Sequence, residues 1–306
     1  MSIILVVFMY ATWSSVFSLG KVALQHSPPI FLTGFRMALA GVLILAYLAI
    51  AKRTSLKITL KQLLSLSILA FFSIYLTNIL EFWGLQYLSA AKTCFLYSLS
   101  PFFAALFSYI HFKEKMNRTK WLGLLIGFVG FLPVLLSQTG AEDLLNAFAF
   151  FSWPTLAIMG AALCSVYGWV LLRLVVKDSA VSPLMANGTS MLLGGGIALV
   201  HSLFTDSWTP LPIAEGGTSV FLKTTLAMTV ISNLLCYNLY GYLLKRFTAT
   251  FLSFVGLLSP IFASLTASIF FGEPISWTIF LSTAVVSVGL FLVYQAELKQ
   301  GYTQTA

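Results

Sequence analysis

One segment of this chain occurs twice, and the two copies are separated by the same number of residues at every matched position. A Leu-Ser-Pro motif surrounds Pro101 and recurs around Pro260, each copy followed by a glutamate, Glu114 or Glu273. Both separations are 159 residues (260 − 101 and 273 − 114), so the two copies align without a gap. The chain is therefore predicted to consist of two halves that share one structural plan.

The composition identifies the solvent around these halves. Hydrophobic residues make up 59% of the 306 residues and charged residues only 8%, whereas an ordinary soluble domain is about 25% charged. No water-soluble fold buries so much apolar surface, which predicts an integral membrane protein. Cys94, Cys164 and Cys236 lie in apolar runs without metal-like spacing, and no P-loop occurs. We therefore expect neither a metal nor a cofactor.

Ten apolar segments have the length of about 20 residues with which a helix crosses the hydrocarbon core. They cover residues 3–23, 29–51, 63–86, 90–111, 119–137, 154–176, 183–204, 219–243, 248–271 and 277–295. The predicted fold class is all-α integral membrane, with ten transmembrane helices as two inverted five-helix repeats. Because five is odd, the halves 1–138 and 152–296 must insert in opposite orientations, and 297–306 forms a short tail.

Basic residues accumulate in alternate loops. One side of the predicted topology holds Lys52, Arg53, Lys57, Lys61, Lys113, Lys115, Arg118, Lys120, Arg173, Lys177, Lys245, Arg246 and Lys299. Lys and Arg collect on the cytoplasmic side of a membrane, so both termini are predicted to be cytoplasmic, in a multi-pass protein of the bacterial inner membrane. Topology explains the net charge of +8 better than nucleic-acid binding does.

A few polar side chains lie inside the predicted spans. Arg36 is about 12 Å into the second span, and Glu81 lies in the outer third of the third span with Asn78 one turn away. A charge in hydrocarbon costs about 2.5–3.5 kcal/mol, so these groups are expected to face an aqueous cavity and bind substrate. The alternative is a structural pair between Arg36 and Glu81.

Four other residues are candidates for gating. Lys21 closes the first span and Lys92 opens the fourth, both near the predicted external surface. Pro101 and Pro260 fall within the fourth and ninth spans, where each is expected to bend its helix and serve as a pivot. Interfacial anchoring by the lysines and plain packing by the prolines are the alternatives.

Aromatic side chains complete the predicted substrate-binding set. Trp13 lies near the midplane of the first span, and Tyr97, Trp169, Tyr237 and Tyr240 lie within later spans. A Trp or Tyr deep in a span needs a partner for its NH or OH, unlike one in an interfacial belt. Simple packing remains the alternative for any single ring.

Several motifs together resemble a known family. In the first half they are Ala11-Thr12-Trp13-Ser14, Lys21, Pro29 with Arg36, Tyr87-Leu88-Ser89-Ala90-Ala91, and Leu99-Ser100-Pro101 with Glu114. In the second half they are Ala161-Ala162-Leu163, Trp169, Arg173, Lys245-Arg246-Phe247-Thr248-Ala249-Thr250, and Leu258-Ser259-Pro260 with Gly272-Glu273-Pro274. The chain resembles the EamA family of the drug/metabolite transporter superfamily, with two EamA repeats. One departure is Lys113, where the family usually has Gly.

The resemblance implies a cavity enclosed by spans 1–4 and 6–9, with spans 5 and 10 at the periphery. It also implies a secondary transporter and no enzyme. One carboxylate, one guanidinium and several rings suit a zwitterionic metabolite, either amino-acid-like or S-adenosylmethionine-like, and the family includes transporters of both kinds. The alternatives are a multidrug exporter, and a flippase or accessory subunit for a lipid-linked substrate. The expected partners are a small-molecule substrate and the lipid bilayer, with the protein a monomer or homodimer.

Overall fold

The computed structural model describes residues 2–51, 58–88, 93, 96, 97, 99–139, 152–178, 181–259, 261, 262 and 277–302. All regular secondary structure in these ranges is helical, and we number the helical rods α1 to α10 in chain order. The first five are α1 (Ser2–Trp13 and Ser15–Leu24), α2 (Pro29–Ala51), α3 (Leu60–Leu69, a π-helix Ala70–Leu76, and Thr77–Tyr87), α4 (Ser100–Phe112) and α5 (Arg118–Thr139). The second five are α6 (Trp153–Asp178), α7 (Pro183–Thr205), α8 (Thr218–Met228, a π-helix Thr229–Cys236, and Tyr237–Leu243), α9 (Ala249–Val255 with a 3₁₀ turn Gly256–Leu258) and α10 (Trp277–Lys299).

Seven helical segments in the described ranges are long and apolar enough to cross a membrane. They are Ile3–Leu24, Pro29–Ile50, Leu60–Tyr87, Trp153–Lys177, Pro183–Thr205, Thr218–Leu243 and Phe280–Lys299. The prediction of an all-α, multi-pass membrane protein is confirmed. The count of ten spans and the inverted arrangement of the halves stay predictions.

Capping residues in the sequence mark where several of these rods begin. Thr59 and Gln62 form a capping box at the start of α3, where each side chain bonds the other's backbone amide at 3.3 and 2.9 Å. Ser182 caps α7 by accepting from the Met185 amide, with Pro183 in the first turn. Such caps satisfy amide groups that the first turn of a helix leaves without partners.

Two π-helices interrupt the long rods α3 and α8. Thr229, the first residue of the second π-helix, lies 159 residues after Ala70, the first residue of the other (229 − 70). This is the same separation as between the two Leu-Ser-Pro motifs. Sequence periodicity did not indicate either π-helix, although a short π-helix within an α-helix is frequently found at a functional site.

Glycines bring α2 and α7 into close contact. A methyl group at Gly34 would lie 2.8 Å from the Leu199 backbone nitrogen, so no larger side chain fits there. The close approaches along the two rods are Gly34 with Leu199, Gly195 with Ala38, Gly41 with Leu192, and Gly188 with Ile44. The residue numbers rise in α2 as they fall in α7, so the two rods pack antiparallel. Small residues permit this backbone approach, as in many membrane helix pairs.

The rods α5 and α10 form a second close pair. A methyl group at Gly289 would lie 2.6 Å from the Gly123 carbonyl oxygen, and one at Gly123 would lie 2.8 Å from the Gly289 carbonyl oxygen. Gly130 lies against Val285 in the same way. None of the cavity residues described below comes from α5 or α10, which agrees with the peripheral position that the family resemblance implies.

The structure places Pro101 at the start of a helix. Leu99 is a turn residue and Pro101 occupies the first turn of α4. A proline is well tolerated at this position, because the first turn of a helix leaves its amide groups without intrahelical partners. The role of Pro101 as a pivot stays a prediction, and Pro260 lies outside the described residues.

Lys113 follows α4 in a left-handed conformation, with φ of 56°. Its amide and that of Glu114 donate to the carbonyls of Tyr109 and Ser108, at 3.0 and 3.4 Å, and so close the helix end. Glycine adopts this conformation without the steric cost that a Cβ atom brings. We expect Lys113→Gly to stabilise the protein by about 0.5–1 kcal/mol. This gain should raise the apparent melting temperature in detergent.

The matched control for this substitution is Lys115→Gly. Lys115 is equally exposed but has no positive φ, so glycine there should leave stability unchanged or lower it. Equal melting temperatures for Lys113→Gly and Lys115→Gly would contradict strain at Lys113.

Candidate functional site

A central cavity lies among the rods of both halves. Its empty volume is about 1000 Å³, including the part open to solvent. The structure brings all eight residues of the predicted substrate-binding set to its wall: Trp13, Arg36, Asn78, Glu81, Tyr97, Trp169, Tyr237 and Tyr240. Their contact with a substrate stays a prediction.

Arg36 reaches the cavity from α2 and is held on two sides. Its Nη2 donates to Asn78 Oδ1 at 2.6 Å, and its guanidinium lies 4.9 Å from the centroid of the Phe82 ring. Only 2% of Arg36 is exposed, and its Nε has no hydrogen-bond partner among the described residues. A fork of N–H donors at a cavity wall is suited to a carboxylate.

Glu81 is the second charged residue of the wall. Tyr97 donates from its hydroxyl to Glu81 Oε2 at 2.6 Å. Within the described residues, the salt bridges shorter than 4.0 Å do not include one between Arg36 and Glu81. Arg36 and Glu81 thus line the cavity with separate hydrogen-bond neighbours, and whether they bind substrate or only stabilise each other's charge stays a prediction.

Four rings form an aromatic cluster, which we define as Trp13, Trp169, Tyr237 and Tyr240. Trp169 stacks on Tyr240 with ring centroids 4.0 Å apart and lies 5.0 Å from Tyr237. Trp13 meets Trp169 edge to face at 5.9 Å and Tyr237 at 5.4 Å. Such rings stack on a planar group and attract a cation through their negative faces.

The two charged residues in the described part of the cavity wall both belong to the first half, whereas both halves contribute rings. Arg36, Asn78, Glu81 and Tyr97 all belong to the first half, whereas three of the four rings in the aromatic cluster belong to the second. Trp13 from α1 completes that cluster. A ligand that uses both sets of groups must therefore contact both halves at once.

Hydroxyl groups also line the cavity, and sequence reasoning assigned most of them no role. They are Ser14, Thr77, Ser100, Ser165, Ser232, Ser253 and Ser259. A serine inside a span carries no cost large enough to mark it as functional, because it can donate to its own helix, as Ser14 does to the Ala11 carbonyl at 2.8 Å. No sequence signal distinguishes these serines from others in the chain.

Lys21, one of the two predicted gating lysines, does not join this site. Lys21 is half-buried near the end of α1 and does not line the cavity. Lys92 lies outside the described residues. The gating roles of both lysines stay predictions.

Buried ion pairs lie at the end of the bundle where α4 and α6 finish. Arg173 Nη1 contacts Glu114 Oε1 at 2.6 Å, and Lys120 Nζ contacts Glu297 Oε1 at 3.0 Å. Thr248 donates to the same Glu297 carboxylate at 2.6 Å. From the sequence, Lys120 and Arg173 are interpreted only as basic residues at the cytoplasmic surface, but 1% and 4% of their side chains are exposed. The Arg173–Glu114 pair joins the first half to the second, and the Lys120–Glu297 pair joins the first half to the end of α10.

Comparison with known proteins gives a consistent result along the whole chain. A family model described as the EamA-like transporter family matches residues 1–136 and 152–295. An S-adenosylmethionine/S-adenosylhomocysteine transporter of Chlamydia trachomatis serovar L2 is 38% identical over 307 residues, which covers 100% of this chain and 93% of the relative. Its counterpart in Chlamydia muridarum is 37% identical, covering 99% of this chain and 94% of the relative.

A more distant relative and a solved structure extend this comparison. An uncharacterised transporter of Bacillus subtilis is 23% identical and covers 95% of this chain and 90% of its own length. A protein with a crystal structure matches with a TM-score of 0.71 at 15% identity, covering 96% of this chain and 97% of that one. At this identity the structural likeness shows the fold alone.

Proposed function

This chain belongs to the EamA-like transporter family and is a secondary transporter of a small metabolite, and we propose that it carries S-adenosylmethionine and S-adenosylhomocysteine. The relatives are transporters, so the chain is not a membrane enzyme. The full-length similarity to the two Chlamydia transporters supports this choice of substrate. The chemistry of the cavity supports it independently.

The proposed substrates have two ends of different character. One end is an α-amino acid with a carboxylate and an ammonium group, and the other is an adenosyl group with a planar base. Arg36 binds the carboxylate through its N–H donors, and Glu81 binds the ammonium group. The aromatic cluster packs against the adenosyl end, and the sulfonium of S-adenosylmethionine lies between the two where ring faces attract a cation.

The division of groups between the halves is the observation that carries this proposal. Both charged groups come from α2 and α3 of the first half, and three of the four rings of the aromatic cluster come from α6 and α8 of the second. A bipolar ligand bridges the halves, whereas a purely apolar drug would leave Arg36 and Glu81 desolvated without new partners. The residues of the cavity wall therefore support a multidrug exporter or a flippase for a lipid-linked substrate less well.

Alternating access is the proposed mechanism. The antiparallel glycine contacts between α2 and α7, and the equal spacing of the two π-helices, support two inverted five-helix repeats related by an axis through the cavity. The two halves then exchange conformations around a substrate held near Trp13 and Trp169. The halves 1–138 and 152–296 are the two moving bodies in this proposal.

The proposed orientation places both termini in the cytoplasm. Single cysteines at Glu142 and Glu215 should react with an impermeant maleimide on intact cells, because both lie in predicted external loops. A single cysteine at Lys61 should react only after permeabilisation. Labelling of Lys61 on intact cells would overturn this orientation.

The proposed substrates are tested with the purified protein in liposomes. Vesicles loaded with S-adenosylhomocysteine should take up labelled S-adenosylmethionine faster than vesicles without internal substrate. Free methionine and adenosine serve as controls, since each carries only one end of the substrate. Uptake of a free amino acid in preference to S-adenosylmethionine would instead identify an amino-acid transporter. Transfer of a lipid-linked probe alone would identify a flippase.

The aromatic cluster gives a prediction about the adenosyl end. Trp169→Ala should weaken S-adenosylmethionine binding by roughly tenfold, the usual size of a base-stacking contribution. Trp169→Phe, which keeps a ring, should lose less, and both affinities are measured by calorimetry in detergent. The exposed Trp277 at the start of α10 provides a matched control, since Trp277→Ala should leave affinity unchanged. Equal affinities for wild type and Trp169→Ala would exclude this contact.

A further inference from the structure

We propose that Asn78 is a positioning residue, which holds the Arg36 guanidinium at the cavity wall by anchoring it to the π-helix of α3 and does not itself bind substrate. This inference rests on the proposed function, in which Arg36 binds the substrate carboxylate. It revises the expectation from sequence that Asn78 is a substrate ligand.

The Asn78 side chain makes its hydrogen bonds with groups of the protein itself. Its Oδ1 accepts from Arg36 Nη2 at 2.6 Å, and its Nδ2 donates to the Ile74 carbonyl at 2.8 Å and reaches the Ser73 carbonyl at 3.5 Å. Only 3% of Asn78 is exposed. The Asn78 side chain is also in hydrogen-bonding contact with the Tyr237 side chain. An amide offers two N–H donors and one carbonyl oxygen, and here both the nitrogen and the oxygen have partners within the protein.

The contact with the backbone fixes where Asn78 stands. Ser73 and Ile74 lie in the π-helix Ala70–Leu76, where the backbone makes i→i+5 hydrogen bonds in place of the regular i→i+4 bonds. The Asn78 amide adds a bond to carbonyls of that segment and so ties its own orientation to it. With Phe82 one turn further along the same rod and 4.9 Å from the guanidinium, α3 supplies both supports of Arg36.

The second half contains an equivalent arrangement of hydrogen bonds, but without a charged residue. Asn238 Nδ2 donates to the carbonyls of Leu234 and Asn233 at 2.9 and 3.1 Å, in the π-helix of α8. Its Oδ1 accepts from Asn187 Nδ2 of α7 at 3.0 Å. Neither Asn187 nor Asn238 lines the cavity. In both halves an asparagine thus links a neighbouring rod to a π-helix by hydrogen bonds. Only in the first half is the group that it holds a guanidinium that faces the cavity.

Arg36 retains donors for a ligand while Asn78 holds it. Its Nε has no hydrogen-bond partner although it is buried, and no salt bridge shorter than 4.0 Å involves Arg36 in the described part of the chain. A guanidinium has five N–H donors in a fixed fork. Fixing one of them orients the others, which lowers the entropy lost when a carboxylate binds.

A double-mutant cycle on substrate affinity tests the proposal. The purified variants Asn78→Ala, Arg36→Gln and the double variant are titrated with S-adenosylmethionine and with its decarboxylated analogue. Asn78→Ala should weaken S-adenosylmethionine binding by roughly tenfold, a typical loss for a hydrogen bond to a charged group. The double variant should bind no more weakly than Arg36→Gln alone, because Asn78 acts through Arg36. For the decarboxylated analogue, Asn78→Ala should match the wild type.

Two further variants separate positioning from support of the fold. Asn238→Ala removes the equivalent amide from the second half, so it should cost similar thermal stability and change S-adenosylmethionine affinity by less than about twofold. Asn78→Ser keeps a hydroxyl that donates to the i−4 carbonyl of Ile74 but is too short to hold Arg36. It should keep the stability of the wild type and show the weakened affinity.

The outcomes distinguish the inference from the proposed function. If the affinity loss of the double variant equals the product of the two single losses, positioning is overturned and Asn78 is a direct ligand. The same conclusion follows if Asn78→Ala weakens binding of the decarboxylated analogue as much as binding of S-adenosylmethionine. Failure of both Asn78→Ala and Asn78→Ser to fold would assign Asn78 to the fold alone. A wild-type protein that does not bind S-adenosylmethionine would instead overturn the proposed substrate, and this role of Arg36 with it.

Discussion

Replacing Arg36 with Gln should lower S-adenosylmethionine uptake by about a hundredfold while the protein still inserts and folds. The reason is that loss of one member of a buried, charge-assisted contact typically costs about 2–5 kcal/mol. The substrate carboxylate would then enter a cavity whose remaining charged residue is Glu81, also an anion. Uptake into proteoliposomes measures the effect, and size-exclusion chromatography checks the fold.

Two controls sharpen this prediction. Arg36→Lys keeps the positive charge but loses the planar fork, so uptake should fall by roughly tenfold, an intermediate effect. Arg118→Gln removes an arginine that is exposed at the start of α5, and its uptake should equal that of the wild type. Normal uptake by Arg36→Gln would mean that the carboxylate binds elsewhere and that Arg36 serves another purpose.

Arg36 also shows how far sequence reasoning reaches in a membrane protein. A charge within a span is so costly that the sequence alone predicts a cavity beside it, and the structure places Arg36 and Glu81 on one wall. The same argument found the deep aromatic residues, because their polar atoms need partners inside the bilayer. Helix positions were predictable too, since each span must be long and apolar.

Other features depend on the path of the backbone, which periodicity does not encode. The π-helices of α3 and α8 insert one residue per turn without altering the apolar character of either rod. The hydrogen bond from Asn78 Nδ2 to the Ile74 carbonyl follows from that local geometry, so the sequence showed a polar residue near a charge but not the direction of its side chain. A run of three glycines such as Gly194-Gly195-Gly196 is expected to leave a helix backbone poorly restrained. In the structure α7 is continuous there, with Gly194 packed against Ile74 and Gly195 against Ala38.

The pairing of Arg173 and Glu114 was beyond sequence reasoning for a different reason. Basic residues near span ends are so common on the cytoplasmic side that topology alone accounts for them. Nothing in the spacing of Glu114 and Arg173, which are 59 residues apart, indicates that the two side chains meet. The contact arises only when the segment after α4 packs against the end of α6.

Replacing Arg173 with Met should destabilise the protein by about 3–5 kcal/mol, because it leaves the Glu114 charge buried without its partner. Arg173 also covers the Phe112 ring at 4.3 Å, and Met retains part of that apolar contact. The double variant with Glu114→Leu removes both charges and should recover most of the loss, since apolar residues can replace a buried pair at little cost. Melting temperature in detergent measures both effects.

The control Lys245→Met removes an exposed cation at the same end of the bundle and should change stability by less than about 0.5 kcal/mol. A double variant as unstable as Arg173→Met would show that packing, and not the buried charge, sets the cost. Because the pair joins the two halves, the recovered double variant also reports on transport: uptake that differs from wild type in a fully folded protein would link this contact to the exchange of conformations.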